Sequence, residues 1–375
     1  MDFNKIRQST DAKLAGRVDA LRAGEDVAAL ESFAKAYLGM FLEIDDDVAP
    51  PARVALLASE PYASAVLDGF VAVLDRTDIP TPADIGRALA ADRLLAIGYV
   101  VLAGVERRAS EEPERVLELP DGVLGAALCF HFANAPTQPH PWVNTLIGRR
   151  PDLAAPALHA FWAEQLSTTV EHLPGLSRVL RDDGARAVLQ ANLLPLLRTW
   201  RGCRHHVLRS LLTAAMRHGD HEELLEAARS ALDESDLELR KRADWMATAF
   251  LLAPEEFGPV LADYAGRSRE KILRLLDFIV PALRAGEADL PAAWLAQLLR
   301  LAAPIFRRNE PSTGGLDAVS TQVLWLFERL GDDPSDAAVQ AVAELRKVRV
   351  MRIYRDVLEQ VAARQTAARG EAPSA

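Results

Sequence analysis

Apolar residues recur along this chain at the three-to-four spacing that turns one face of an α-helix toward a core. Leu208, Leu211, Leu212 and Ala215 follow it, as do Phe257, Val260, Leu261 and Tyr264. It returns at Ile272, Leu275, Leu276 and Ile279, and again at Leu295, Leu298, Leu299 and Ala302. Ala338, Ala341, Val342 and Leu345, then Tyr354, Val357, Leu358 and Val361, complete the series. Upstream, Leu14, Val18 and Leu21, followed by Leu30, Phe33, Ala34 and Tyr37, predict two further amphipathic helices. No stretch alternates apolar and polar positions between hairpin turns, as strands would.

The punctuation between these patterns is helical too. Gly219 and Gly331 suit helix ends, Asp220 an N-cap, and Pro254 a first helical position. Ser235 with Glu238 reads as a capping box, and Asp333-Pro334 as an N-cap followed by proline. Pro82-Ala83-Asp84 opens a helix expected to run to Val105, its second half apolar on all faces and therefore buried. Pro195, Pro281 and Pro304 lie inside apolar helical patterns. Each is expected to kink or split its helix, at roughly 3 kcal/mol unless packing compensates.

Repeat units of about 30 to 50 residues are looser than a tetratricopeptide or ankyrin period and nearer the HEAT/armadillo class. The expected fold is all-α: an irregular HEAT/armadillo-like α-solenoid of paired antiparallel helices. Residues 106–122, with six acidic residues and two prolines, mark the clearest boundary. The expected organisation is an N-terminal helical domain over 1–110, a linker over 111–121, a helical-repeat solenoid over 122–368 and a tail over 369–375.

Composition narrows this further. The 375 residues are 50% hydrophobic and only 6% aromatic, enough for a large core and weighted toward helix. A formal net charge of −10 argues against general affinity for nucleic acid or anionic membranes, and leaves room for local basic patches. The two cysteines, Cys129 and Cys203, stand far apart, as in a reduced cytosolic protein. The start, Met1-Asp2-Phe3-Asn4-Lys5, lacks the apolar core of a signal peptide. The uncharged run 94–105 is too short for a membrane span, and 122–148 is broken by prolines, amides and histidines. A cytoplasmic protein with no membrane partner is expected.

The most metal-like string is His218-Gly219-Asp220-His221-Glu222-Glu223, with His205-His206 one helix earlier. Gly219 breaks the helical register between the two ligand types, so a helix boundary explains the string better. Cys129 and His131 sit two apart, about 200° around a helix, and cannot work as nucleophile and base. The chain has no Gly-x-Ser-x-Gly elbow, no Cys-x-x-Cys pair and no Gly-Lys pair of a phosphate loop. No catalytic, metal or cofactor-binding residue is assigned, and no cofactor is expected.

Two basic clusters carry more weight. Seven arginines lie between Arg178 and Arg209, with Trp200 among them; Arg198, Trp200, Arg201 and Arg204 are its candidate partner-binding residues. In the second cluster Arg346, Arg349 and Arg352 step by three beside an apolar stripe of Val348, Met351 and Tyr354. Basic residues interleaved with aromatics suit an acidic protein surface or a nucleic-acid backbone. The plain alternative is the solvated face of an amphipathic helix, paired with neighbouring carboxylates.

Three stretches also carry a family resemblance. They are Ala243-Asp244-Trp245-Met246-Ala247 leading to Leu251-Leu252-Ala253-Pro254-Glu255-Glu256-Phe257-Gly258-Pro259-Val260-Leu261, then Ser268-Arg269-Glu270-Lys271-Ile272, and Gly331-Asp332-Asp333-Pro334-Ser335-Asp336-Ala337-Ala338 leading to Tyr354-Arg355-Asp356-Val357-Leu358. Together they resemble the C-terminal helical-repeat region of bacterial NACHT-type STAND NTPases linked to antiphage defence. The resemblance spans residues 150–365 and implies a sensing or autoinhibitory helical region. The missing Gly-Lys pair means that the family's ATP site does not carry over. The expected function is a non-enzymatic helical-repeat scaffold or sensor that binds a macromolecular partner, a protein, in a defence-type system. The alternatives are a nucleic-acid-binding solenoid and an enzyme with a dispersed site built from His205, His206, His218 and His221.

Overall fold

The computed structural model describes residues 2–134, 140–166, 168, 172–198, 203–305 and 316–370, with 316–320 by backbone alone. These residues form helices and, among them, no strand. The chain divides into two compact units, Met1–Val207 and Leu208–Ala375. The acidic segment expected to link two domains lies inside the first unit, where Pro113–Glu118 forms a 3₁₀ turn packed on its neighbouring helices.

In the first unit the helices are α1 (Phe3–Leu14), α2 (Val18–Arg22), α3 (Val27–Tyr37), α4 (Pro50–Leu57), α5 (Tyr62–Ala72) and α6 (Pro82–Ala90). They are followed by α7 (Ala96–Glu111), α8 (Asp121–Asn134), α9 (Pro141–Arg149), α10 (Pro151–Leu166), α11 (Leu176–Val179) and α12 (Arg186–Arg198). The centre is built from α7 and α8. From Gly98 to Val105 every residue of α7 is buried, which is what a helix apolar on all faces requires. Around them pack α3, α5, α6 and α10.

Two of these crossings are closed by glycine. A Cβ on Gly86 of α6 would stand 2.3 Å from the Phe161 carbonyl oxygen of α10. One on Gly104 of α7 would stand 2.2 Å from that of Phe70 in α5. Backbones this close exclude any side chain.

The helix expected from Pro82 to Val105 is two helices. Thr81 and Asp84 form a reciprocal capping box at its start, but α6 stops at Ala90. Asp92 then takes φ 54°, a left-handed conformation that ends a helix. The break lets α6 and α7 take separate directions.

The second unit contains α14 (His221–Leu232), α15 (Leu239–Leu252), α16 (Pro254–Ala265), α17 (Arg269–Arg284), α18 (Ala292–Ala302), α19 (Leu316–Gly331), α20 (Asp336–Lys347) and α21 (Arg355–Ala368). Preceding them, α13 (His205–His218) enters from the end of the first unit. Here α15, α17, α19 and α21 stack in sequence as one layer, and α16, α18 and α20 as another. Consecutive helices bridge the layers, the repeat logic of a solenoid of helix pairs.

A polar chain runs through the first of these layers. Arg209 of α13 donates to Asp244 of α15 (Nη2–Oδ1 2.8 Å) and to the Asp277 carbonyl of α17 (3.3 Å). Gln322 of α19 donates to Asp277 Oδ1 at 3.1 Å. Asp244 is fully buried, so Arg209 is its required counter-charge.

Several boundary expectations move. Glu238 is itself the N-cap of α15 and makes no side-chain cap bond, so the Ser235–Glu238 capping box does not form. Ser335, rather than Asp333, caps α20 through the Ala338 amide; Asp333 accepts from the Ser335 N–H instead. Pro195 and Pro281 stay inside α12 and α17, whereas Pro304 lies just beyond the end of α18. Asp220 caps α14 as expected, accepting from Glu222 and Glu223, and Pro254 opens α16.

Candidate functional site

The two basic clusters have different fates. In the first, Arg178 is committed to structure, its Nη1 donating to His131 Nε2 at 2.6 Å and its Nη2 to Asn144 Oδ1 at 3.0 Å. Arg181 donates to the Ser177 carbonyl, and Arg209 serves Asp244. Arg198, at the end of α12, and Arg204 are exposed. Trp200 and Arg201 lie outside the described residues. Arg178, Arg181 and Arg209 are thus held by structural partners.

The second cluster is organised by a change of helix type. At Val348 the backbone turns extended (φ −75°, ψ 122°) and ends α20. Arg349–Tyr354 then forms a 3₁₀ helix. With three residues per turn, its positions align in three stripes. Met351 and Tyr354 form the first, 1% and 2% exposed, with the Tyr354 ring 5.3 Å from that of Phe327. Arg349 and Arg352 form the second, both exposed, and Arg346 is exposed in the last turn of α20. Val350 and Ile353 form the third, 49% and 51% exposed.

Arg346, Arg349 and Arg352 make no ion pair with any described residue, unlike Lys347 (to Glu344) and Arg355 (to Glu359) on either side. The sequence pattern located the cations and the buried stripe. It missed the aliphatic one, because an amphipathic α-helix was expected to leave only its cationic face in solvent, whereas the 3₁₀ turn exposes Val350 and Ile353 as well. A period of three in 349–354 is the signal that could have found it.

The histidines proposed for a dispersed site do not converge. His205 and His218 stand at opposite ends of α13, about 20 Å apart along the axis. His221 bonds the Met216 carbonyl through Nε2 at 2.8 Å, a helix-boundary contact. Among the described residues no three His, Cys, Asp or Glu side chains are grouped to hold a metal ion. Cys129 is buried against the Ala157 carbonyl (3.6 Å), and burial pushes its thiol well above the usual range.

The strongest local electrostatics lie elsewhere, where α7, α8, α9 and α11 meet. Glu106 Oε2 accepts from His140 Nδ1 at 2.6 Å and from Trp142 Nε1 at 3.1 Å. His131, 3% exposed, has its ring 5.3 Å from that of His140. Burial, reinforced by His140 and Arg178, holds the His131 pKa down to about 3. Arg178 can only donate, so His131 Nε2 accepts and the ring proton sits on Nδ1. Among the described residues, that Nδ1, His140 Nε2 and the Asn134 amide are buried without a hydrogen-bond partner. Sequence reasoning had noticed His131 only as an unsuitable base for Cys129.

No described helix is long and apolar enough to cross a membrane. Compared with known proteins, the chain matches no family model, no curated protein and no solved structure.

Proposed function

We propose that this chain is a non-enzymatic helical-repeat binding protein whose partner is another protein, docked at the Arg349–Tyr354 turn. The observation that carries this reading is the pairing of stripes there: three unpaired guanidinium groups beside two aliphatic side chains that the fold leaves half in water. Arginine at the rim of an apolar patch is the composition that protein interfaces favour. The cations alone would also suit a nucleic-acid backbone. Val350 and Ile353 favour protein, because a phosphate backbone offers nothing to cover them. The resemblance to defence-linked NACHT helical regions supports a cytoplasmic bacterial defence-type assembly as the setting.

The test is affinity purification of the tagged chain from a bacterial host, with and without phage challenge. Arg346→Glu/Arg349→Glu/Arg352→Glu and Val350→Ser/Ile353→Ser serve as comparison variants. One protein recovered in stoichiometric amount, and lost with both variants while their melting curves stay unchanged, is the expected result. Recovery of nucleic acid instead, with steeply salt-dependent binding, would move the reading to a nucleic-acid solenoid. A partner indifferent to both variants would remove the turn from the interface.

A further inference from the structure

Beside the Glu106–His140–Trp142 constellation lies a cavity of about 290 Å³ that the partner-binding reading does not use. It lies in the other unit from Arg349–Tyr354 and stands independently of that proposal. Its lining includes Glu106 and Trp142 together with Pro113, Val116, Leu117 and Pro141 and the Ser110 and Thr145 hydroxyls, with no Lys, Arg or His among the described residues. We propose that this cavity binds a small organic cation, an alkylammonium whose charge meets Glu106 and whose short hydrocarbon body lies against Trp142 and the apolar walls.

Four features converge on that ligand class. First, Glu106 is fixed but not saturated. His140 Nδ1 and Trp142 Nε1 both donate to Oε2, leaving Oε1 with no donor among the described residues. The other ring nitrogen of His140, Nε2, is buried with no hydrogen-bond partner among the described residues. Second, the nearby arginines are committed elsewhere. Arg107 pairs with Glu111, Arg108 with Glu112, and Arg115 with Glu112 and Glu118. No guanidinium is therefore bonded to Glu106.

Third, Trp142 is 5% exposed and held by its indole N–H, so an aromatic wall stands at a set orientation next to the carboxylate. An aromatic ring beside a carboxylate attracts a cation by its quadrupole as well as by the charge. Fourth, the remaining walls are mostly proline and aliphatic. The hydroxyls among them, Ser110 and Thr145, already donate to the Arg107 and Pro141 carbonyls, and an anion would meet Glu106 directly. The volume is at the lower limit of small-ligand sites, which fits a few carbon atoms rather than a cofactor.

The test is calorimetric titration of the full chain with butylammonium, tetramethylammonium and 1-butanol, the last a neutral analogue of butylammonium. Butylammonium should bind in the millimolar range or tighter, with the alcohol about tenfold weaker or worse. Glu106→Gln keeps an acceptor for His140 and Trp142 while removing the charge, and should weaken the ammonium about tenfold with little change for the alcohol. Ala109, half-buried on the cavity wall, allows a second variant. Ala109→Phe should fill the space and abolish binding with the melting curve unchanged. No detectable ammonium binding, equal affinity for the alcohol, or full binding by Ala109→Phe would each overturn the proposal.

Discussion

His131 carries a pH dependence whose sign follows from its burial. Folded, its pKa is about 3; unfolded, it returns to about 6.5. Between those values the unfolded chain binds the extra proton. Stability from this residue is thus complete above pH 6.5 and is lost as pH falls toward 3. By pH 5 the expected loss is roughly 2 kcal/mol, from one and a half pH units of linkage. Urea titrations at pH 7 and pH 5 check it, since His131→Gln should flatten the difference by about that amount. Equal pH sensitivity in both proteins would mean that His131 is not the group responsible.

Arg209 poses the opposite problem, a charge that must stay. Asp244 is fully buried and Arg209 lies 2.8 Å away. Removing the guanidinium takes the 2.8 Å counter-charge from a fully buried carboxylate, so Arg209→Met should cost about 3 kcal/mol or more. Arg209→Met with Asp244→Leu should cost less than Arg209→Met alone, because no uncompensated charge remains. Chemical denaturation of the two variants decides it.

At the scale of elements, two glycines on helices make opposite predictions. Gly86 has the Phe161 carbonyl 2.3 Å from where a Cβ would sit, while nothing lies within 4 Å of the same position at Gly122. Gly86→Ala must separate α6 from α10 and should destabilise by about 1–3 kcal/mol. Gly122→Ala, in the first turn of α8, should be neutral or stabilise by up to about 1 kcal/mol. Thermal melts of the pair separate close approach from helix propensity.

Elements were the best-read level of this sequence. The spacings at Leu208–Ala215, Ile272–Ile279 and Ala338–Leu345 all lie on helices with those residues buried, Leu208 and Leu345 completely. Helix existence depends on local periodicity, which a sequence displays. Breaks depend on competition the sequence does not display. Nothing in Ala90-Ala91-Asp92 forbids a continuing helix, and α6 ends there because its own core contacts lie with α8 and α10, away from the line of α7. The Val348 turn is similar: helical residues on both sides, yet a switch to a three-residue period that buries Met351 and Tyr354 and exposes Val350 and Ile353. The Glu106 constellation was invisible for a further reason. Its members come from residues 106, 131, 140, 142 and 178, with no motif spacing among them, and only packing of four helices brings them together.

For the molecule as a whole, the two units are built on different plans, and the difference has a measurable consequence. In the first, α7 and α8 are enclosed, touching helices before and after them in sequence, so a disturbance at one crossing is shared by the helices around it. In the second, α15, α17, α19 and α21 meet mainly their neighbours in order, a near one-dimensional arrangement. Hydrogen exchange should report the contrast. Gly86→Ala is expected to raise amide exchange in α6, α7, α8 and α10 together, as one cooperative block. Arg209→Met should raise it most in α15 and α17, which hold its two acceptors, and progressively less through α19 to α21. Uniform loosening of the second unit would instead mean that the Arg209–Asp244 pair supports the whole stack. The Arg349–Tyr354 turn, where we propose the partner docks, lies at the far end of that order, between α20 and α21. If the effect fades along the layers, a partner bound there is insulated from disturbances at α13, and loss of binding by a stripe variant reads out the turn alone.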